Sequence, residues 1–341
     1  MIKEAIRKVV EGEDLSQAEA VSAMTEIMEG EATPAQIACL ITALRMKGET
    51  VDEITGFVRV MREKSVKVTS TRTPLIDTCG TGGDRLNTFN ISTTAAFVVA
   101  GAGVAVAKHG NRAASSKCGS ADVLEALGVR FALPAKAVGQ CIDECGIGFM
   151  FAPALHPAMK HAVGPRKEIG VRTVFNILGP MTNPAGAKYQ IIGVFAPHLC
   201  ELMAKVLANL GTERALVVHG TDGLDEVSTL GETRVAEALG KDVTTRSLLP
   251  SDFGCSVALA EDLAAGESPE DNARALLSIL SGEKGPKRDV VLANAGAALF
   301  VVGRARDLRE GVAIAAESID SGAALEALET LKRFTEAHEQ R

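Results

Sequence analysis

The chain has 341 residues, 46% of them apolar and 23% charged, with 33 Gly, 7 Cys, one Tyr and no Trp. That length suits two domains, or one large α/β body with a small appendage, and the apolar content excludes a disordered chain. A formal charge of −7 argues against a dedicated nucleic-acid binder, so any anionic ligand must be gripped by a local cluster of cations.

Residues 1–65 show helical periodicity throughout. Ser16-Gln17-Ala18-Glu19 is a capping box, with Val21, Met24, Ile27 and Met28 on one face behind it and Gly30 as the stop. Thr33-Pro34 sets a cap before a proline at the first helical position, followed by Ile37, Leu40, Ile41 and Leu44 and closed by Gly48. Thr50 and Glu53 make a second capping box ahead of Ile54, Phe57, Val58 and Met61. Such stripes serve core packing and helix–helix contact. Residues 66–74 form a connector.

Beyond the connector the grammar changes. Residues 75–77 read as a strand, 79–84 as a Gly-rich loop, and a helix starts near Ser92 and ends at Gly101. Residues 104–107 are a second strand, followed by a polar loop from Lys108 and a helix over 121–127, capped by Ser120 and closed by Gly128. This alternation builds a parallel sheet. Further strands are predicted at 147–151, 189–196 and 214–219, with helices after Glu201, after Ser268-Pro269 and from Asp307 onward. Ligands of parallel sheets sit outside the carboxyl ends of the strands, so the loops after the first two strands should share one rim. The loop after 214–219 joins them if that strand is parallel too.

The longest apolar stretch, 93–107, contains Gly101 and Gly103 and falls short of the ~20 residues that span a bilayer. The N-terminus shows no apolar signal core, so a soluble, cytoplasmic protein without membrane contact is expected. The cysteines, at 39, 79, 118, 141, 145, 200 and 255, include no Cys-x-x-Cys pair, which indicates neither zinc nor a disulfide framework.

Four segments carry chemistry. In Asp77-Thr78-Cys79-Gly80-Thr81-Gly82-Gly83-Asp84 the glycines let backbone amides converge on an oxygen ligand, and the helix start at Asn90-Ile91-Ser92-Thr93 adds amides and a favourable dipole. It is neither a Walker loop nor a dinucleotide fingerprint. Residues 108–120 hold Lys108, His109, Arg112 and Lys117 among Ser115, Ser116 and Ser120, with no acid before Asp122, a composition suited to a pyrophosphate. Asp225 and Glu226 follow Gly220-Thr221-Asp222-Gly223-Leu224 on a turn after an apolar strand, where both reach a hard cation such as Mg²⁺. The fourth, 161–184, is dense in Gly, Pro and Asn, as a structured hinge requires, and either Arg166 or Arg172 has the fork geometry for a carboxylate. His156 and His219 read as structural rather than metal-ligating.

Together these segments, in this order, resemble the anthranilate phosphoribosyltransferase family of tryptophan biosynthesis. The resemblance rests on Gly80-Thr81-Gly82-Gly83-Asp84, on Lys108-His109-Gly110-Asn111-Arg112 leading to Ser120-Ala121-Asp122-Val123-Leu124-Glu125-Ala126-Leu127-Gly128, on Gly164-Pro165-Arg166 running to Asn176-Ile177-Leu178-Gly179-Pro180-Met181-Thr182-Asn183-Pro184, and on Asp222-Gly223-Leu224-Asp225-Glu226. Ala113-Ala114 and Cys118 depart from it, standing where the family often has Ser-Val and Ser.

The resemblance implies an α/β protein of the nucleoside phosphorylase/phosphoribosyltransferase type. A small all-helical domain, residues 1–72 joined by 156–186, would sit beside a large α/β domain, 73–155 and 187–341, with a mostly parallel central sheet. It implies a homodimer formed through the helical domains, and a Mg²⁺-dependent pentosyltransferase, with two ions per subunit expected. Phosphoribosyl pyrophosphate would give its 5-phosphoribosyl group to the anthranilate amine. Residue by residue, Gly80, Gly83, Asp84, Thr88, Asn90, Ile91, Ser92, Thr93, Lys108, Asn111, Ser115, Ser116 and Ser120 would hold the sugar donor. Gly80, His109, Asn111 and Arg166 would line the anthranilate site, with Arg166 facing the carboxylate. Ser92, Asp225 and Glu226 would bind metal, directly or through water.

Departure of pyrophosphate develops negative charge that Lys108, metal and loop amides stabilise, so electrostatic preorganisation should dominate. The aromatic amine is neutral already; no general base is assigned, and His109 is a candidate late proton acceptor. Water must be kept from the donor, which motivates closure between the domains across 66–74. The alternatives are a pyrimidine nucleoside phosphorylase, which uses free phosphate, and a non-catalytic nucleic-acid-binding relative of the same fold.

Overall fold

Capping decides where the first helices begin. The computed structural model describes residues 1–83, 86–113 and 118–339, and it opens with α1 (Ile2–Val10), α2 (Gln17–Glu29), α3 (Pro34–Lys47) and α4 (Val51–Lys64). The hydroxyls of Ser16, Thr33 and Thr50 accept from the backbone of Glu19, Gln36 and Glu53, whose side chains reach back in turn. Glu53 does more than cap: fully buried, it also accepts the Leu15 N–H at 2.9 Å and faces Lys47 at 3.2 Å, tying the α1–α2 turn to α4.

The central sheet has seven strands, β1 (Leu75–Gly80), β2 (Ala105–Gly110), β3 (Ile147–Phe151), β4 (Tyr189–Gly193), β5 (Arg214–Gly220), β6 (Thr233–Leu239) and β7 (Asp242–Leu248), in the order β3-β2-β1-β4-β5-β6-β7. The strands from β3 to β5 are parallel; β6 and β7 run antiparallel at one edge. Helix α5 (Ile91–Gly101) crosses from β1 to β2, and α6 (Ser120–Ala126) and α7 (Ala135–Cys145) lead to β3. Between β3 and β4 come the short α8 (Ala152–Leu155), α9 (Lys160–Ile169) and α10 (Phe175–Leu178). Helix α11 (His198–Asn209) joins β4 to β5, and α12 (Pro269–Leu280), α13 (Pro286–Val301), α14 (Leu308–Asp320) and α15 (Ala323–Glu339) complete the chain.

Two apolar cores lie on opposite faces of the sheet. One gathers α5, α13 and the C-terminal helices. The other joins α1–α4 to Ala162, Val174, Phe175, Ile177, Leu178 and Met181, so the excursion between β3 and β4 returns to the helical part of the chain, and it continues into α11 and Ile192 of β4. No helix of the described residues is long and apolar enough to cross a membrane.

The structure corrects several expectations. β1 runs through Gly80 rather than ending at 77, and β2 runs from Ala105 to Gly110, so Lys108 and His109 are buried strand residues and not a polar loop. Gly119, not Ser120, precedes α6 as its cap position; Ser120 is the first helical residue. The β6–β7 hairpin is absent from the predicted elements, because Arg234, Glu237 and Arg246 break its apolar pattern; Glu237 is accommodated by salt bridges to Arg214 and Arg246. Helices α7 and α13 are absent from them too. α13 is buried nearly all round, leaving little polar face to contrast with the apolar one.

Candidate active site

Two glycines set the site's floor. Gly80 and Gly193 end β1 and β4 in register. A Cβ on Gly193 would stand 1.5 Å from the Asp225 carbonyl oxygen, and one on Gly80 would stand 3.1 Å from the Asp225 carboxylate. The acidic turn after β5 therefore lies directly across the ends of β1 and β4, where only glycine leaves room. The Thr81 N–H donates to Gly193 O at 2.8 Å, and the Thr81 hydroxyl accepts the Phe195 N–H at 3.1 Å, locking the glycine loop to β4. Gly83, at φ +84°, offers its carbonyl to Arg172 Nη2 at 2.6 Å, while the Arg172 guanidinium lies 4.4 Å over the Phe195 ring. Arg172 is thus a brace for the loop.

The acidic turn is itself held from three sides. Asp222 accepts from the Leu224 N–H at 2.9 Å and from the Ser228 hydroxyl at 2.5 Å, with Gly223 at φ +102°. Asn294, buried in α13, receives the Val227 N–H at 3.0 Å and donates back to Val227 O at 2.9 Å. Glu226 Oε1 takes the Ser92 N–H, in the first turn of α5, at 3.2 Å. Thr78, Ser92, Ala95, Ile191, Glu226 and Asn294 line one crevice. Among the described residues there is no cage of three or more His, Cys, Asp or Glu side chains. Two adjacent carboxylates beside a serine are the donor set for Mg²⁺, which keeps waters and takes substrate phosphate as its remaining ligands.

Lys108 reaches the same place from β2. Its ammonium donates to Thr78 O and lies 3.5 Å from Ser92 Oγ. Burial lowers its pKa, opposed by the negative charge of Asp77 and Glu226. Asp77, fully buried on β1, accepts the His109 N–H at 3.1 Å and Asn183 Nδ2 at 2.7 Å. Burial pushes its carboxyl up to about 6 against the pull of Lys108 and these donors. The His109 ring is buried beside the His156 ring, 5.1 Å between centroids, and the Gly179 backbone lies next to it. Burial, helped by His156, pushes His109 down to about 3, so its imidazole is neutral, and Nε2 has no partner. Burial pushes His156 down to about 4. His219 bonds Val194 O at 2.7 Å, a structural role as expected.

The remaining expected residues divide. Asn90 donates from Nδ2 to Cys118 O at 3.2 Å and keeps an unpartnered Oδ1. The side chains of Ile91 and Thr93 are buried, and the Ile91 N–H donates to Phe89 O at 2.7 Å. Thr88 bridges Ala264 in antiparallel fashion. The Ser120 hydroxyl is exchanged with Asn111, accepting its N–H at 3.2 Å and donating to its carbonyl at 3.1 Å, so it ties the start of α6 to the end of β2. Arg112 does not face an open anion site: Asp122 and Glu125 hold it at 2.8 Å each. Arg166 stacks 5.2 Å over Phe175, and burial lowers its pKa. No hydrogen bond or ion pair among the described residues joins it to Gly80, His109 or Asn111. Asp84, Ala114, Ser115, Ser116 and Lys117 lie outside the described residues.

Of the buried polar residues packed around the site, Gln190 and Asn294 are not named in the sequence reading, and Asp77, His156 and Asn183 are given no binding role there. A lone Asn within the apolar run of α13 is the signal for Asn294; the others carry none that one sequence reveals.

The chain matches the glycosyl transferase family twice, in its helical bundle domain over residues 3–65 and in its a/b domain over residues 72–325. An anthranilate phosphoribosyltransferase of Symbiobacterium thermophilum is 58% identical over 334 residues, 98% of each chain. The chain belongs to the anthranilate phosphoribosyltransferase family. The crystal structure of anthranilate phosphoribosyltransferase from Thermus thermophilus is 48% identical, covering 97% of this chain and 99% of that one, with a TM-score of 0.92. The Saccharomyces cerevisiae anthranilate phosphoribosyltransferase in complex with PRPP and Mg is 30% identical over 98% of both chains, with a TM-score of 0.90. The family's small helical domain and mostly parallel α/β domain are those of this fold.

Proposed function

We infer that this member of the family transfers the 5-phosphoribosyl group from phosphoribosyl pyrophosphate to the amine of anthranilate, giving N-(5-phosphoribosyl)anthranilate and pyrophosphate in tryptophan biosynthesis. One observation carries the reading: the glycine loop, the start of α5, Lys108 and the Asp225–Glu226 turn meet at one rim of the sheet. Gly80, Gly83, Asp84, Thr88, Asn90, Ile91, Ser92, Thr93, Lys108, Asn111, Ser115, Ser116 and Ser120 are the residues we assign to the sugar donor. Ser92, Asp225 and Glu226 hold Mg²⁺, two ions per subunit. When bound, Mg²⁺ supplies charge neutralisation for the departing pyrophosphate.

The chain's own contribution is positional. Lys108, fixed between Thr78 O and Ser92 Oγ, presents a cation whose orientation costs nothing at the moment of reaction. Anthranilate docks toward Gly80, His109 and Asn111, with Arg166 drawing its carboxylate as a charge-assisted partner. The attacking amine needs alignment more than deprotonation. His109 is too weak a base to hold a proton at rest, but its open Nε2 can accept one from the strongly acidic aryl-ammonium formed on attack.

The helical domain, 1–72 with 156–186, closes on the large domain, 73–155 with 187–341, to exclude water, and it forms the homodimer contact. Exposed Met46 and Cys39 on α3 are consistent with a covered face there. No nucleic-acid or membrane partner is proposed, and the setting is cytoplasmic. The direct test is pyrophosphate release from phosphoribosyl pyrophosphate with anthranilate, run against phosphate-dependent cleavage of uridine. Turnover only in the first supports the reading; turnover only in the second replaces it with a nucleoside phosphorylase.

A further inference from the structure

A polar row crosses the buried face of the sheet where only apolar contacts are needed for folding. Asp77 and Gln190 are register partners on β1 and β4, both fully buried, and Cys79 lies two residues along β1 on the same face. All grip one segment, 179–183, which leads from the helical excursion back to β4. Gln190 Nε2 donates to Pro180 O at 2.9 Å, and the Cys79 thiol lies 3.8 Å from the same oxygen. Asn183 Nδ2 donates to Asp77 Oδ2 at 2.7 Å and to Ala107 O of β2 at 2.8 Å. From the other side, Arg62 of α4 donates to Met181 O at 2.7 Å.

The same row reaches the reacting region. Asp77 Oδ1 accepts the His109 N–H at 3.1 Å, and the His109 ring lies beside the Gly179 backbone. His109 is thereby fixed at its backbone by the carboxylate that also holds Asn183 of the 179–183 segment. A buried carboxylate and a buried amide are costly, and an apolar pair of equal volume would hold the sheet as well or better. Gln190 even leaves its Oε1 unpartnered. Packing alone does not account for them.

We propose that Asp77 and Gln190 are positioning residues for the acceptor half of the site, setting the 179–183 segment and His109 against the sheet so that the aromatic amine is aligned for attack. The proposal rests on anthranilate being the acceptor. Gln190 makes no hydrogen bond to the phosphate-binding loop, so the sugar donor should bind independently of it, whereas the charge of Asp77 also acts on Lys108.

The test uses the full-length chain with two variants, Asp77→Asn and Gln190→Leu. Asn at 77 sets an amide donor against either Asn183 Nδ2 or the His109 N–H. Leu at 190 removes the bond to Pro180 together with the unpartnered Oε1, and leaves Pro180 O the Cys79 thiol at 3.8 Å. In both variants kcat/KM for anthranilate should fall tenfold or more, while in Gln190→Leu phosphoribosyl pyrophosphate affinity by calorimetry with Mg²⁺ stays within twofold. If Asp77→Asn does not fold, Gln190→Leu decides the matter alone. Wild-type kinetics toward anthranilate in folded variants, or an equal loss of affinity for the sugar donor in Gln190→Leu, overturns the proposal. Wild-type protein that consumes no anthranilate in the same assay overturns the acceptor reading, and the proposal with it.

Discussion

Replacing Gly193 by alanine puts a methyl carbon 1.5 Å from the Asp225 carbonyl oxygen, where ordinary contact begins at 3.4 Å. The Cβ is fixed by the backbone of a central strand paired on both sides, and the oxygen it meets is backbone of a turn held by Asn294 and Ser92. The turn must give, by about 2 Å. Overpacking of a core costs roughly 1–3 kcal/mol of stability, and this clash costs at least that, because the atom met is backbone. The effect on turnover is larger, because a misplacement of about 1 Å in a positioned group can cost ~100-fold. Gly193→Ala should therefore lose at least about 100-fold in kcat/KM while its far-ultraviolet spectrum stays native. Pyrophosphate release under saturating Mg²⁺ reads the first, and urea unfolding the second. A variant that folds and keeps wild-type turnover at ordinary Mg²⁺ would refute the inference that the acidic turn acts from this position.

Asp225→Asn combined with Glu226→Gln should abolish turnover at ordinary Mg²⁺ and leave the melting temperature nearly unchanged, since Gln keeps an oxygen for the Ser92 N–H; Mg²⁺ binding by calorimetry in the presence of the sugar donor checks it. Arg166→Ala should raise the anthranilate KM about 10- to 150-fold, the equivalent of a charge-assisted pair worth roughly 1.5–3 kcal/mol, with kcat little changed. Acid should weaken the fold in a specific window. His109 at about 3 and His156 at about 4 lie below the ordinary 6.5, so their stabilising neutrality is lost as pH falls through 6.5, whereas Asp77 at about 6, above its ordinary 3.8, works in the opposite sense. From about pH 7 to about pH 5.5 the two imidazoles outweigh the carboxyl and stability drops by about 1–2 kcal/mol, which urea titrations at the two pH values would measure. Equal stability at both would contradict the burial of the histidine pair.

Much of this is legible in the sequence because local rules and tertiary outcome agree. The three capping boxes at Ser16, Thr33 and Thr50 start helices where short-range hydrogen bonding requires them. The glycines from the end of β1 onward announce close approaches, and these are made by Asp225 at Gly80 and by Arg172 at Gly83. What stays hidden depends on long-range pairing. Lys108 and His109 look like loop residues until β1 and β3 flank them and bury their strand. Arg112 reads as a phosphate ligand until α6 brings Asp122 and Glu125 to it. The roles of Asp77, Gln190 and Asn183 exist only in the register of β1 with β4 and in the return of the 179–183 segment, neither of which one-dimensional spacing specifies.

The central claim is that one diphosphorylated sugar is held where four chain segments converge. A crystal of the full chain grown with phosphoribosyl pyrophosphate and Mg²⁺ tests it most directly. The account predicts the diphosphate against Gly80, Gly83 and the first turn of α5, with Lys108 beside it and a metal reached by Asp225 or Glu226. Density for the sugar at any other edge of the sheet, or a metal held away from both carboxylates, would contradict it.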